Sequence, residues 1–159
     1  MNPTPHGPLK PRIVLGVGAH PDDIDFMAAG SLAAFAAAGA SVHYLILTDG
    51  SSGTADRSAD SAALVTMRKA EQDAAAAAVG ATSSRFLDYR DGQLEVTMEL
   101  KRDIVRVIRE LRPDTVITFD PTLAYFSPMG FINHPDHRAA GQATLDAVFP
   151  LARDHLSFP

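Results

Sequence analysis

Along this chain, short blocks of consecutive apolar residues alternate with longer stretches in which apolar positions return at helical spacing. Ile13 to Val17 is a compact β-branched run closed by Gly18, and about Phe26 to Ala38 has the length and composition of a helix ending at Gly39. Val42 to Leu47 reads as a second buried strand. The polar, glycine-rich Thr48-Asp49-Gly50-Ser51-Ser52-Gly53 that follows reads as a loop. A second helix is predicted from about Ala62 to Val79, opened by Asp60 or Ser61 as N-cap and closed by Gly80. Arg85 to Tyr89 is a third strand. From about Met98, Leu100, Ile104, Val107, Ile108 and Leu111 recur at helical spacing, and that helix stops before Pro113. Thr115 to Phe119 is a fourth strand running into Asp120-Pro121. A long loop then leads to His134-Pro135-Asp136-His137 and a last helix to roughly Val148.

Strands alternating with helices imply right-handed crossovers and a mainly parallel sheet covered on both faces, an α/β, Rossmann-like three-layer fold. Ligands of such sheets collect at the carboxyl ends of the strands, where His20, Asp49, Asp91 and Asp120 fall. A length of 159 residues suits one domain, taken as residues 12–159, with the proline-rich residues 1–11 as a flexible arm. The small-apolar stretch Ala28 to Ala40 falls short of the roughly 20 residues a membrane span needs. No signal-peptide pattern precedes it, so a cytoplasmic location is the expectation.

Fourteen Lys plus Arg against 19 Asp plus Glu give a net charge of -5 without a basic run, which argues against nucleic acid as a partner. The chain has no cysteine, so any metal must be held by nitrogen and oxygen. Ala19-His20-Pro21-Asp22-Asp23 places an imidazole and two carboxylates on a turn after a buried strand. By itself it is also read as a satisfied turn histidine with an aspartate capping the next helix. Asn133-His134-Pro135-Asp136-His137 repeats the His-Pro-Asp core ahead of another helix. Brought to one end of the sheet, the two clusters supply three protein ligands for a catalytic zinc, with Fe(II), Mn or Co as other candidates for the same donors.

These residues carry a resemblance. AHPDD after the first strand, Arg68-x-x-Glu71 on the second helix and HPDH before the last resemble the PIG-L/LmbE family of zinc-dependent N-deacetylases, in order and over nearly the whole chain. The resemblance implies removal of an acyl group, usually acetyl, from a small N-acylated amino sugar or related glycoconjugate. It implies that His20, Asp23 and His137 hold the metal, that Asp22 is the general base, and that His134 in protonated form stabilises or protonates the tetrahedral intermediate. Those roles suit an amide attacked by metal-activated water. Arg68, oriented by Glu71, is aimed at a substrate hydroxyl, and Asp49 is taken as a second substrate contact. Asp120 and Asp136 are candidates for fixing the ligand histidines from behind, with turn and cap roles as the alternative. His6, His43 and His155 lie outside both clusters and are not taken as ligands.

The pattern departs from the family in two places. Many relatives carry Glu after the second aspartate, whereas here Ile24 follows and the acid comes one place later as Asp25. Family chains also continue past the HPDH helix, with a terminal segment that helps wall the pocket, so this chain, ending at Pro159, is expected to be either a fragment or a shortened member whose pocket is left open or completed by another subunit. A second subunit of a homo-oligomer is one way to complete it. Two rivals fit poorly: Gly16-x-Gly18 has Pro21 where a dinucleotide loop needs its third glycine, and Gly50-Ser51-Ser52-Gly53 is not a GxSxG elbow. A metal-binding but catalytically silent protein that recognises a glycan or regulates a partner is the remaining alternative.

Overall fold

The computed structural model describes residues 9–159; most of the arm predicted for residues 1–11, His6 included, lies outside them. Four parallel strands, β1 (Ile13–Gly18), β2 (Ser41–Thr48), β3 (Ser83–Tyr89) and β4 (Thr115–Ile117), form a sheet in the order β3-β2-β1-β4. The helices are α1 (Asp23–Ala37), α2 (Ser61–Val79), α3 (Met98–Leu111) and α4 (Pro135–Asp146). Alternation along the strands divides the core in two. Val14, Val42, Tyr44 and Ile46 face Ile24, Leu32 and Ala76 on one side, while Leu15, Val17, Leu45 and Leu47 face Leu100, Ile104, Ala140 and Ala143 on the other. The predicted three-layer α/β arrangement is therefore the one observed.

The chain moves from β1 to β2 to β3 on one side of β1, then returns to place β4 on the other. That reversal opens a crevice at the carboxyl ends of β1 and β4, the position where sheets of this kind bind ligands. Both His-Pro-Asp segments arrive there.

Several boundaries differ from the sequence reading for physical reasons. Helix α1 starts at Asp23, three residues before the predicted Phe26, because Asp23 and Asp25 sit favourably in the first turn of a helix. Strand β4 ends at Ile117 because Phe119 leaves the sheet to stack on His137, with ring centroids 4.2 Å apart and planes 5° from parallel. The long loop contains a hairpin of two-residue strands, β5 (Tyr125–Phe126) and β6 (Phe131–Ile132), too short to produce a pattern in sequence. Asp60 caps α2 by accepting the Ala62 N–H, and Gly80 ends it at φ 84°.

Glycines set how closely the site-bearing helices approach the sheet. A Cβ on Gly16 would stand 3.0 Å from Ile24, and one on Gly18 would stand 3.0 Å from Ile24 and 3.1 Å from Asp23. The pair that resembles part of a dinucleotide loop thus admits the start of α1. On α4, a Cβ on Gly141 would lie 2.5 Å from the Phe119 carbonyl oxygen, a contact that neither backbone can relieve without moving. Gly141→Ala is expected to cost about 1–3 kcal/mol, the usual range for overpacking. Denaturant unfolding checks this, and an unchanged midpoint would contradict the close approach.

Candidate metal centre

The turn after β1 and the start of α4 bring His20, Asp23, His134 and His137 together. His20 Nδ1 lies 3.4 Å from Asp23 Oδ2, and His137 Nε2 lies 3.1 Å from Asp23 Oδ1. Asp23 is buried, and its Oδ2 also accepts the His20 backbone N–H at 2.7 Å. The opposite nitrogen of each ring is engaged behind the site. His20 Nε2 faces Asp136 Oδ2 at 3.1 Å and Asp91 Oδ1 at 3.2 Å; carboxylates only accept, so the ring hydrogen belongs on Nε2. His137 Nδ1 faces Asn133 Oδ1 at 3.1 Å, and the Asn133 amide is oriented by donating its Nδ2–H to the Leu123 carbonyl at 2.8 Å.

In their neutral forms, both imidazoles therefore turn lone pairs toward one carboxylate. Such groups repel unless a positive charge lies among them, and the donor set fits a divalent cation. The field favours protons in the same way. Burial works against a charged His20, but the hydrogen bond and charge of Asp23, with the Asp136 contact, raise its pKa overall. Burial likewise works to raise the pKa of Asp23, but hydrogen bonds from His137 and His20 hold it far below the ordinary carboxylate range.

Asp136 is 1% exposed and ties three segments together: besides His20, it accepts the Gly92 N–H at 2.8 Å and the Leu94 N–H at 3.2 Å. Asp120, assigned from sequence to the same kind of role, is exposed. Its carboxylate accepts the Thr122 N–H at 2.8 Å and hydroxyl at 2.6 Å, and among the described residues it hydrogen-bonds no histidine. It is a turn residue. His43 is held between the Ser41 and Ser83 hydroxyls, and His155 is exposed near the end of the chain.

Asp22 occupies the N-cap position of α1 at φ 100° without a capping hydrogen bond from its side chain. A non-glycine residue in such a backbone region costs about 1–3 kcal/mol, and strain of this kind clusters at functional sites. Its carboxylate is 54% exposed and 3.3 Å from Arg68 Nη2. Burial raises its pKa, Arg68 opposes this and neighbouring Asp23 adds to it; the net shift is upward. His134 accepts the Asp136 N–H at Nδ1, 3.1 Å away, which leaves Nε2 to carry the hydrogen. Burial, followed by the charge of His20, lowers the His134 pKa. The protonated His134 expected from the sequence is disfavoured here, and the neutral ring is still a donor at Nε2.

Arg68 is oriented by main chain and aspartates, and among the described residues it makes no ion pair with Glu71. It donates to the Gly50 carbonyl at 2.9 Å and the Pro21 carbonyl at 2.6 Å, and it stands 3.7 Å from Asp91. Gly50 and Gly53 lack side chains where a Cβ would meet this guanidinium. Asp49 Oδ1 accepts the Ser51 and Asp91 N–H groups, at 3.0 and 3.1 Å, and so joins the loops after β2 and β3. Asp91, Asn133 and Phe119 were given no role from sequence. Asp91 and Phe119 act on histidines distant in the chain and no local motif marks them, whereas Asn133 lies inside the second cluster, and its place four residues before His137 is the signal that could have found it.

A polar cleft of about 360 Å³ is lined by Asp22, Ser52, Arg68, Asp91 and His134 together with His20, Asp23 and His137. An apolar cleft of about 390 Å³, lined by Phe26, Met27, Leu123 and Phe131, shares Asp23 and His137 with it. A larger cleft beside Val148 and His155 has no carboxylate in its lining.

This fold and site define an α/β protein with a histidine–carboxylate cluster able to hold a metal at its switch point. The GlcNAc-PI de-N-acetylase (PIG-L) family matches residues 15–148, and the chain belongs to that family. The diacetylchitobiose deacetylase of Thermococcus kodakarensis is 38% identical over 85% of this chain and 48% of its own length. The probable N-acetyl-alpha-D-glucosaminyl L-malate deacetylase 2 of Bacillus anthracis is 34% identical over 86% of this chain and 59% of its own. Among solved structures, the N,N'-diacetylchitobiose deacetylase of Pyrococcus horikoshii superposes with a TM-score of 0.80 at 33% identity, covering 87% of this chain and 49% of that one. The 4-carboxy-2-hydroxymuconate hydratase of Pseudomonas putida shares the fold at 24% identity and a TM-score of 0.77, over 91% of this chain and 59% of that one. The chain spans about half the length of the curated relatives it matches.

Proposed function

We propose that this chain, with residues 12–159 acting as one domain, carries the catalytic centre of a metal-dependent hydrolase that removes an N-acetyl group from a small amino sugar or glycoconjugate. The observation that carries this reading is the pair of histidine lone pairs converging on Asp23, next to an Asp22 carboxylate that caps nothing. His20, Asp23 and His137 are the proposed ligands, and zinc is the metal that best suits a nitrogen and oxygen donor set of this kind. When bound, such a metal supplies Lewis acidity and a nucleophile at neutral pH. Asp22 accepts a proton at its carboxylate, and its raised pKa makes it a stronger base than an ordinary aspartate. His134, neutral, donates a hydrogen bond from Nε2 to the oxygen where charge develops, and the proton taken up by Asp22 is the one available to the departing amine. The contacts assigned from sequence to Arg68 and Asp49 become wall-building ones, holding the loops that shape the polar cleft.

The deacetylases at 33–38% identity support this chemistry over the hydration carried out by the more distant protein of the same fold. No helix among the described residues is long and apolar enough to cross a membrane. The test is metal content and acetate release from N,N'-diacetylchitobiose and a panel of N-acetylglucosamine conjugates. We expect about one metal per chain, acetate release that disappears with a chelator, and its return with added zinc. A protein that holds metal yet releases no acetate from the panel would instead support silent glycan recognition.

A further inference from the structure

Helix α2 grips the peptide bond between Pro21 and Asp22 from both ends. The carbonyl oxygen of that peptide accepts Arg68 Nη2 at 2.6 Å, and its N–H donates to Gln72 Oε1 at 2.7 Å. Arg68 and Gln72 stand four residues apart and so share one helix face. Gln72 is 2% exposed in a helix rich in alanine, where burying an amide is unfavourable unless its polar atoms are partnered. Both are. Gln72 Nε2 donates to Asp25 Oδ2 at 2.8 Å, and Asp25 Oδ1 accepts the hydroxyl of buried Tyr44 at 3.2 Å. Only a donor can face the Asp25 carboxylate and only an acceptor can face the Asp22 N–H, so the orientation of the Gln72 amide is dictated.

Asp22 is the residue this network holds, and its φ of 100° is a conformation an aspartate does not keep unaided. We propose that Gln72 is the positioning residue that keeps Asp22 in this backbone conformation, aiming its carboxylate into the polar cleft, with Asp25 and Tyr44 locking the Gln72 amide. The functional half of this proposal rests on the reading of Asp22 as the base. The acid displaced to position 25 thereby acquires a role, orienting the glutamine behind the base.

Exchanging the polarity of the pair provides the test. Gln72→Glu keeps an acceptor for the Asp22 N–H but sets two carboxylates face to face, and Asp25→Asn either opposes two NH2 groups or, with its oxygen turned to Gln72, takes the acceptor away from the Tyr44 hydroxyl. Together they restore a donor against an acceptor and leave the Asp22 N–H and the Tyr44 hydroxyl satisfied. Gln72→Met keeps the shape with no hydrogen bond. In metal-loaded protein, the Asp22 amide exchange rate is followed by NMR, beside metal content, melting temperature, kcat and KM. Misplacing a reacting group by about 1 Å can cost about a hundredfold, so we expect Gln72→Met and each single exchange to lower kcat roughly 10- to 100-fold. Asp22 amide exchange should speed up in the same variants, with metal content and KM little changed. Combining the two exchanges should return kcat and exchange to within about threefold of the parent, a coupling that independent sites do not show. A merely structural glutamine would lower the melting temperature and leave kcat of the folded protein alone. The proposal is overturned if Gln72→Met leaves Asp22 exchange and kcat unchanged, or if the combined variant is no better than the singles. If the parent releases no acetate, the deacetylase reading fails, and Asp22 exchange still decides whether the clamp exists.

Discussion

Replacing Asp22 with asparagine is expected to leave the bound metal in place and to lower turnover by roughly 10²- to 10⁴-fold, the range a general base contributes. The expectation rests on what the Asp22 side chain does not do. It is at the N-cap of α1 but accepts no capping hydrogen bond, so its loss should spare the protein the ~1 kcal/mol that removal of a cap usually costs. It also stands outside the set formed by His20, Asp23 and His137, whose mutual contacts close without it. Its carboxylate faces the polar cleft beside Arg68 and His134. Asparagine is the sharper replacement, because it tolerates the left-handed backbone that alanine resists while being unable to take a proton. Metal analysis and acetate release on the same sample separate the outcomes. Turnover close to that of the parent would remove Asp22 from the mechanism, and a missing metal would make it a ligand.

The strands, the helices and the two histidine clusters were legible because each is written in consecutive residues. Ile13 to Val17 and Val42 to Leu47 announce buried parallel strands, and the order of elements places the ends of β1 and β4 at the switch point. The groups that orient the histidines were legible only in part. Asp136 and Asn133 sit inside a recognisable motif, Asn133 one turn before the His137 it orients, but Asp91 acts across the fold and nothing in its neighbours marks it. Asp120 shows the converse. Its place at the end of a predicted strand suggested a role at the site, yet a nearby threonine satisfies its carboxylate first, as Asp-x-Thr turns commonly do. Gln72 was hidden for another reason. On an alanine-rich helix a lone glutamine reads as a solvent-facing residue, and its burial becomes visible only when α2 is laid against the turn that carries Asp22.

His137→Ala is expected to abolish metal retention, because the contacts of His137 hold its ring against the other proposed ligands. The ring is held on three sides: Phe119 stacks on its face, Asn133 accepts from Nδ1, and Nε2 meets Asp23. Alanine leaves Asp23 with His20 alone, two protein donors where a catalytic metal of this class has three. The sharpest comparison is with Asp136→Ala, which removes a partner of His20 and spares every proposed ligand. Loss of such an outer partner typically weakens metal binding about 10- to 100-fold, so Asp136→Ala should bind measurably and more weakly in a chelator competition, while His137→Ala should not compete at all. His134 supplies the control that decides between ligand sets. The ligand nitrogens of His20, His134 and His137 lie within 4.8 Å of one another, so a site built on three histidines is geometrically open to this chain. Under the assignment proposed here, His134→Ala keeps its metal and loses turnover. If His134→Ala lost the metal while Asp23→Ala kept it, the three histidines would be the ligands, and Asp23 would serve only to orient His20 and His137.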